Sequence, residues 1–177
     1  MERVTRRAAF LDRDGTINEN PPPHEYVTRI EDFRLLPGAA QGMARLGDCG
    51  HALVVVSNQR GVARGLVSQE VLRATERVLQ DALRPLGAEI AGFYYCPHEL
   101  DEDCDCRKPR PGMLLEAAEE LSLDLGGSWM IGDSQSDMEA GSAAGCRTVY
   151  LGRKASVPAT LTTESLDAAA TLICVDP

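Results

Sequence analysis

The segment Phe10-Leu11-Asp12-Arg13-Asp14-Gly15-Thr16-Ile17-Asn18 sets two carboxylates two residues apart, with a glycine after them. A carboxylate at a strand end can attack phosphorus and divide one hard displacement into two easier ones. The leaving oxygen then needs a proton, which a second carboxylic acid can supply and later recover from water. Alone, Asp-x-Asp-Gly also suits a turn or a calcium-type loop, because Asp-Gly favours turns. Three other segments add weight to phosphoryl transfer. Ser57-Asn58-Gln59 can donate hydrogen bonds to non-bridging phosphate oxygens, and Lys108 can hold a fixed positive charge against the transferring group. Gly132-Asp133-Ser134, with Asp137 farther on, offers carboxylates to a hard cation. Magnesium suits such a set, since it takes oxygen ligands from one or two carboxylates, substrate phosphate and water.

A second cluster precedes Lys108. Cys96-Pro97-His98 is followed by Cys104-Asp105-Cys106, so three thiols and one imidazole share a short loop. Four N/S ligands are what a closed structural zinc site requires. The alternatives are a disulfide between two of these cysteines, or reduced thiols in a solvated acidic loop containing Glu99, Asp101, Glu102 and Asp103. Zinc here would be a scaffold that fixes Arg107 and Lys108, which follow Cys106 directly. The remaining cysteines, Cys49, Cys146 and Cys174, read as separate core residues.

The elements that must place these groups alternate between strand and helix. Ala8–Leu11, Leu53–Val56, Ile90–Tyr95, Trp129–Ile131 and Thr148–Leu151 are short apolar runs of the buried-strand kind. Helices are expected from Pro37-Gly38 to Leu46, from Ser68 to near Gly87, over Pro111–Leu121 and over Gln135–Ala144. The last apolar run, Leu172-Ile173-Cys174-Val175, reads as a final strand. This alternation predicts an α/β three-layer sandwich with a mainly parallel, Rossmann-like sheet, in one domain spanning 1–177. Asp12, Ser57 and Asp133 each follow a strand. Ligands in such sheets sit beyond the carboxyl ends of the strands, so the three should share one site.

In the order and spacing of these residues the chain resembles the haloacid dehalogenase superfamily. The resemblance implies Asp12 as nucleophile, Asp14 as general acid/base, Ser57 as phosphate-binding hydroxyl and Lys108 as stabilising lysine. It also implies magnesium held by Asp12, Asp133 and the backbone carbonyl of Asp14. The runs Ser57-Asn58-Gln59-Arg60-Gly61-Val62-Ala63-Arg64-Gly65 and Cys104-Asp105-Cys106-Arg107-Lys108-Pro109-Arg110-Pro111-Gly112-Met113 look like one subgroup. That subgroup comprises the D-glycero-D-manno-heptose 1,7-bisphosphate phosphatases and the related histidinol-phosphate phosphatases. Zinc bound by Cys96, His98, Cys104 and Cys106 goes with it, and Pro-Gly-Met after Lys108 tilts the reading to the heptose branch. The segment from His98 to Cys104 is short, as in histidinol phosphatases. Ser134 stands where some heptose enzymes carry lysine, and the chain ends just after its last expected strand, where relatives often add a helix.

Only 42 residues lie between Asp14 and Ser57, and 50 between Ser57 and Lys108, which leaves no room for a separate cap domain. Specificity must then come from short loops, through Arg13, Asn18, Tyr26, Asn58, Gln59, Arg60, Arg107 and Ser134. Arg107 could grip a second phosphate bidentately or form a surface ion pair with the acidic loop; His24 reads as a plain loop residue.

The chain has 177 residues, 44% apolar and 25% charged, with a net charge of −9. That balance speaks against nucleic acid as partner, since such proteins carry basic faces. No apolar run reaches the roughly 20 residues of a membrane span. The apolar stretch after the basic start Met1–Arg7 stops at Asp12, too short for a secretory signal. A cytoplasmic, monomeric enzyme acting on a small phosphorylated substrate is expected. Its rivals are a receiver-type signalling domain, which also phosphorylates an aspartate but needs no base such as Asp14, and a zinc-dependent interaction module.

Overall fold

Six strands form a wholly parallel sheet in the computed structural model, which describes residues 6–154 and 157–175. They are β1 (Arg6–Leu11), β2 (Ala52–Asn58), β3 (Ile90–Cys96), β4 (Leu123–Gly132), β5 (Arg147–Leu151) and β6 (Leu161–Thr163), in the order β3-β2-β1-β4-β5-β6. Among the described residues, α1 (Ala39–Asp48), α2 (Gln69–Leu83), α3 (Gly112–Leu121) and α4 (Gln135–Ala144) lie between successive strands from β1 to β5, and α5 (Leu166–Val175) follows β6. Successive residues of a strand face opposite sides. Ala9 and Leu11 of β1 accordingly join a core with α1, α2 and α5, while Ala8 and Phe10 join a second core with α3 and α4. These are the three layers expected. The basic start, Met1–Thr5, lies outside the described residues.

Strand order reverses between β1 and β4, although the strands stay parallel: β2 and β3 extend the sheet on one side of β1, β4 to β6 on the other. The crevice at such a reversal lies above the carboxyl ends of the two central strands. Asp12 follows β1 and Asp133 follows β4, so both stand at this point. Among the described residues, no further folded unit covers them: 12–38 and 59–68 are loops with one 3-10 turn at Ile30–Asp32. Among the described residues, no helix is long and apolar enough to cross a membrane.

Two expectations are corrected. Leu172–Val175 is the end of helix α5, not a strand, and the sheet's edge strand is instead Leu161-Thr162-Thr163. The β-branched, apolar look of the run is outweighed by what precedes it. Ser165 Oγ accepts the Ala168 N–H as a helix cap, three alanines follow, and Leu166, Ala169, Ala170 and Ile173 are buried at helical spacing. A helix, not a strand, therefore follows β6. It lies against α1 at Gly42, where a Cβ would come within 2.8 Å of the Leu166 and Asp167 backbone. Sequence reading also missed the first half of β4, where Gly126-Gly127 interrupts the apolar run and the register shifts against Arg7 and Ala9.

Cys49 and Cys174 are the second correction. They are not separate core residues but a disulfide, with Cα atoms 5.8 Å apart. Packing of α1 beside α5 brings together positions 125 apart in sequence, which no local spacing could show. The link closes a long loop at the amino-terminal end of the strands, away from Asp12. Cys174→Ser is expected to lower stability by about 2–4 kcal/mol, read as a fall in Tm. It should leave kcat at 25 °C unchanged. An unaltered Tm would mean that the two thiols are unbonded in the purified protein.

Candidate active site

Lys108 is the hinge of the site. It is 3% exposed, and its Nζ donates to Asp12 Oδ1 at 2.6 Å and to the Val56 carbonyl at 2.9 Å, and pairs with Asp137 Oδ1 at 2.6 Å. The buried ammonium thus faces three oxygens, two of them through hydrogen bonds. The backbone of Lys108 is held in turn by Asn58, whose Oδ1 accepts the Lys108 N–H and whose Nδ2 donates to the Lys108 carbonyl, both at 3.0 Å. Burial works to lower the Lys108 pKa, but Asp12 and Asp137 overcome it and hold the amine above its ordinary value.

Asp12, Asp14, Ser57, Asn58, Lys108, Asp133, Ser134 and Asp137 line one cavity of about 250 Å³, joined by Asn20 and Ser136. The ends of β1, β2 and β4, the loop after β1, the loop before α3 and the first turn of α4 all contribute. Burial pushes Asp12 up to about 7, against the pull of Lys108, with Asp137 and Asp14 adding to the rise. Asp133 is also raised, chiefly by burial, while Asn20 Nδ2 donates to its Oδ2 at 2.9 Å and opposes this. Gly15 turns the chain at a φ of 86°, and any side chain there would strike Asp133.

Carboxylate oxygens of Asp12, Asp133 and Asp137 lie within 4.8 Å of one another. One ammonium faces three carboxylates, so a hard cation is electrostatically welcome here and its oxygen-only donors suit magnesium. Asp137 was read as a further carboxylate for the cation, but it stood outside the ligands that the family resemblance implies. It is the third residue of α4 and forms a capping box with Ser134: Ser134 Oγ accepts the Asp137 N–H, and Asp137 Oδ2 accepts the Ser134 N–H. The Ser-x-x-Asp spacing announces that cap, and it hides the second duty of Asp137 toward Lys108.

The side chain of Asp14 turns into a cradle. Arg13 Nε and Nη2 donate to its Oδ1 at 3.2 and 3.1 Å, and Nη2 also reaches Oδ2 at 3.0 Å. Asn18 Nδ2 donates to Oδ1 at 2.8 Å and Gln59 Nε2 to Oδ2 at 3.1 Å. Gln59 also donates to Ser57 Oγ at 2.9 Å. Arg13, Asn18 and Gln59 were expected to meet substrate, yet they are 1%, 0% and 2% exposed. Their place is beneath the site, where they orient Asp14 and Ser57. Asp14 likewise lies outside the carboxylate cluster, so its side chain is no metal ligand in this arrangement.

Of the other expected substrate contacts, Asn58 and Ser134 line the cavity. Tyr26 lines a neighbouring one of about 400 Å³ with Asn20, Pro21, Pro22, Arg29 and Arg34. Arg60 pairs with Glu99 at 3.2 Å, and Arg107 Nη1 donates to the His98 carbonyl at 3.4 Å. His24 is a loop residue, with a positive φ of 68°.

Cys96, His98, Cys104 and Cys106 converge as expected, all four ligand atoms lying within 4.8 Å of one another. Their separations are 3.7 Å for Cys96 and Cys104 Sγ, 3.5 Å for Cys96 Sγ and His98 Nδ1, and 3.2 Å for His98 Nδ1 and Cys106 Sγ. A tetrahedron with Zn–S bonds of about 2.3 Å has edges of about 3.8 Å. All three cysteines are unbonded to one another, so the cluster fits zinc and not a disulfide.

Comparison with known proteins agrees with this geometry. The family described as HAD-hydrolase-like matches residues 105–174. The D-glycero-β-D-manno-heptose-1,7-bisphosphate 7-phosphatase of Photorhabdus laumondii is 44% identical over 153 residues, covering 82% of this chain and 80% of the relative. The Escherichia coli K12 protein of the same description is 42% identical, covering 82% and 78%. The crystal structure of D,D-heptose 1,7-bisphosphate phosphatase from B. bronchiseptica, complexed with magnesium and phosphate, superposes with a TM-score of 0.88 at 33% identity, covering 97% of this chain and 99% of that one. With its nucleophile-type aspartate, lysine and Cys/His loop in these places, the chain belongs to the haloacid dehalogenase superfamily, in the family of the D-glycero-β-D-manno-heptose-1,7-bisphosphate 7-phosphatases.

Proposed function

We propose that this protein removes the C7 phosphate of D-glycero-D-manno-heptose 1,7-bisphosphate. The observation that carries the reading is the convergence of Asp12, Ser57, Lys108 and Asp133 on one small cavity, in a chain more than 40% identical to heptose bisphosphate phosphatases.

Asp12 attacks phosphorus through a carboxylate oxygen, forming an O–P bond as the ester P–O bond breaks. The departing sugar oxygen takes its proton from Asp14. Water then attacks the aspartyl-phosphate, yields its proton to Asp14 and releases inorganic phosphate and free Asp12. Ser57 donates to a non-bridging oxygen, and Lys108 offsets the charge shared by Asp12 and the phosphoryl group. Its charge acts strongly because the site is largely buried. Arg13, Asn18 and Gln59 keep Asp14 beside the reacting atoms. Magnesium, held by Asp12, Asp133 and the Asp14 carbonyl with Asp137 close by, would screen the phosphate from the attacking carboxylate. Zinc would hold the 96–106 loop so that Arg107 and Lys108 keep their places. Arg107 is the candidate grip for the C1 phosphate.

A panel of phosphate esters with magnesium present tests this. The bisphosphate is expected to exceed histidinol phosphate by at least about 100-fold in kcat/KM, the order of two to three kcal/mol of transition-state binding. Histidinol phosphate as the better substrate would overturn the assignment and favour the branch that shares the short His98–Cys104 segment.

A further inference from the structure

Glu99 follows the His98 ligand directly and was read as part of a solvated acidic loop. The structure gives it partners instead. Its Oε1 accepts from Arg64 Nε, its Oε2 lies 3.2 Å from Arg60 Nε, and its side chain is 29% exposed. One carboxylate thus faces two guanidiniums from a different loop. The two loops also meet through their backbones: Gln59 N–H donates to the Cys96 carbonyl at 2.8 Å, and Ala63 N–H to the Pro97 carbonyl at 3.1 Å.

The bridged loop is central to the site. It starts at Asn58, which lines the Asp12 cavity and clamps Lys108, and continues through Gln59, which holds Asp14 and Ser57. Farther on, Gly61 packs under the Tyr26 ring, where a Cβ would come within 2.9 Å, and Tyr26 lines the neighbouring 400 Å³ cavity. The loop carrying Arg60 and Arg64 is therefore wedged between the two cavities. Glu99 is its side-chain tie to the Cys/His cluster.

We infer that Glu99 is a positioning residue, which transmits the order of the Cys/His loop to Arg60 and Arg64 and so sets affinity for the part of the substrate distant from the reacting phosphate. The inference rests on the phosphatase reading above. Arginine side chains that must be ordered on binding cost affinity, and Glu99 orders two of them beforehand at their Nε atoms, through a hydrogen bond from Arg64 and an ion pair with Arg60. An exposed ion pair without such a role contributes little, so the distinction is measurable.

Glu99→Gln keeps the shape and removes the charge. Loss of a negative charge beside the site would by itself strengthen binding of an anion and lower KM. Loss of positioning raises it. In the variant with full zinc content, KM for the bisphosphate is expected to rise about three- to tenfold, with kcat within twofold of wild type, while KM and kcat for p-nitrophenyl phosphate change by less than twofold. Hydrogen exchange at the amides of residues 60–66 should quicken at least tenfold while residues 96–106 stay protected. A lowered KM, or unaltered exchange over 60–66, would overturn the inference. An absence of activity toward every ester, with the exchange change intact, would instead refute the phosphatase reading.

Discussion

Asp12→Asn is expected to reduce kcat by at least about 10⁴-fold, because a carboxamide offers phosphorus no comparable nucleophile and the residual rate must come from the remaining groups alone. The fold should survive. Burial pushes Asp12 up to about 7, so its ionised form is held in the site against a desolvation cost. The amide removes that cost, and its carbonyl can still accept from Lys108 Nζ, which keeps Asp137 and the Val56 carbonyl as well. A Tm equal to or above that of wild type is therefore expected alongside the lost activity. Rapid quenching during turnover should find phosphate on the peptide containing Asp12 in wild type and none in the variant. A variant that turns over normally, or wild-type phosphate on a different residue, would remove Asp12 from the centre of the mechanism. Long-lived phosphate on Asp12 without turnover would point to a receiver-type domain.

What the sequence disclosed and what it withheld divide along physical lines. Asp12, Ser57 and Asp133 were legible because each ends a short apolar run, and strand ends on one edge of a parallel sheet converge whatever the intervening chain. The Cys/His loop was legible because its ligands are close in sequence and few other arrangements of three thiols and an imidazole are useful. Arg13, Asn18 and Gln59 were identified as polar neighbours of the site but set on the wrong side of it. Their types suit a phosphate as well as a carboxylate, and loop residues carry no periodicity to say which way a side chain points. Glu99 was concealed in a run of acidic residues of which it alone reaches both Arg60 and Arg64. Helix α5 was mistaken because four apolar residues look alike in a buried strand and a helix end, and the deciding signals, Ser165 and the alanines, lay upstream. Cys49–Cys174 needed the packing of α1 on α5, a purely tertiary fact.

Replacing Lys108 should damage stability as well as rate, and in a pH-dependent way that identifies its role. In Lys108→Met the aliphatic stem is retained, but Asp12 and Asp137 lose their shared counter-charge inside the protein. Breaking a buried pair from one side costs about 3–5 kcal/mol. Lys108 is also the main influence that opposes the burial-driven rise of Asp12, so its removal lifts the folded-state pKa of Asp12 above the present value of about 7. A carboxyl whose folded pKa exceeds its unfolded value near 3.8 binds more protons folded than unfolded, so stability falls as pH rises between the two. In the presence of chelator, the Tm deficit of the variant should be smaller below about pH 7, where Asp12 holds a proton in both proteins, and should grow as pH rises above it. With magnesium at saturation, kcat should fall about 10²- to 10³-fold, the scale of losing one preorganised charge at a phosphoryl centre. A Tm deficit independent of pH would show that Asp12 and Asp137 do not depend on Lys108 for their charge. Wild-type kcat in the variant would show that the ammonium is structural alone, and that the negative charge at the reacting phosphate is offset from elsewhere.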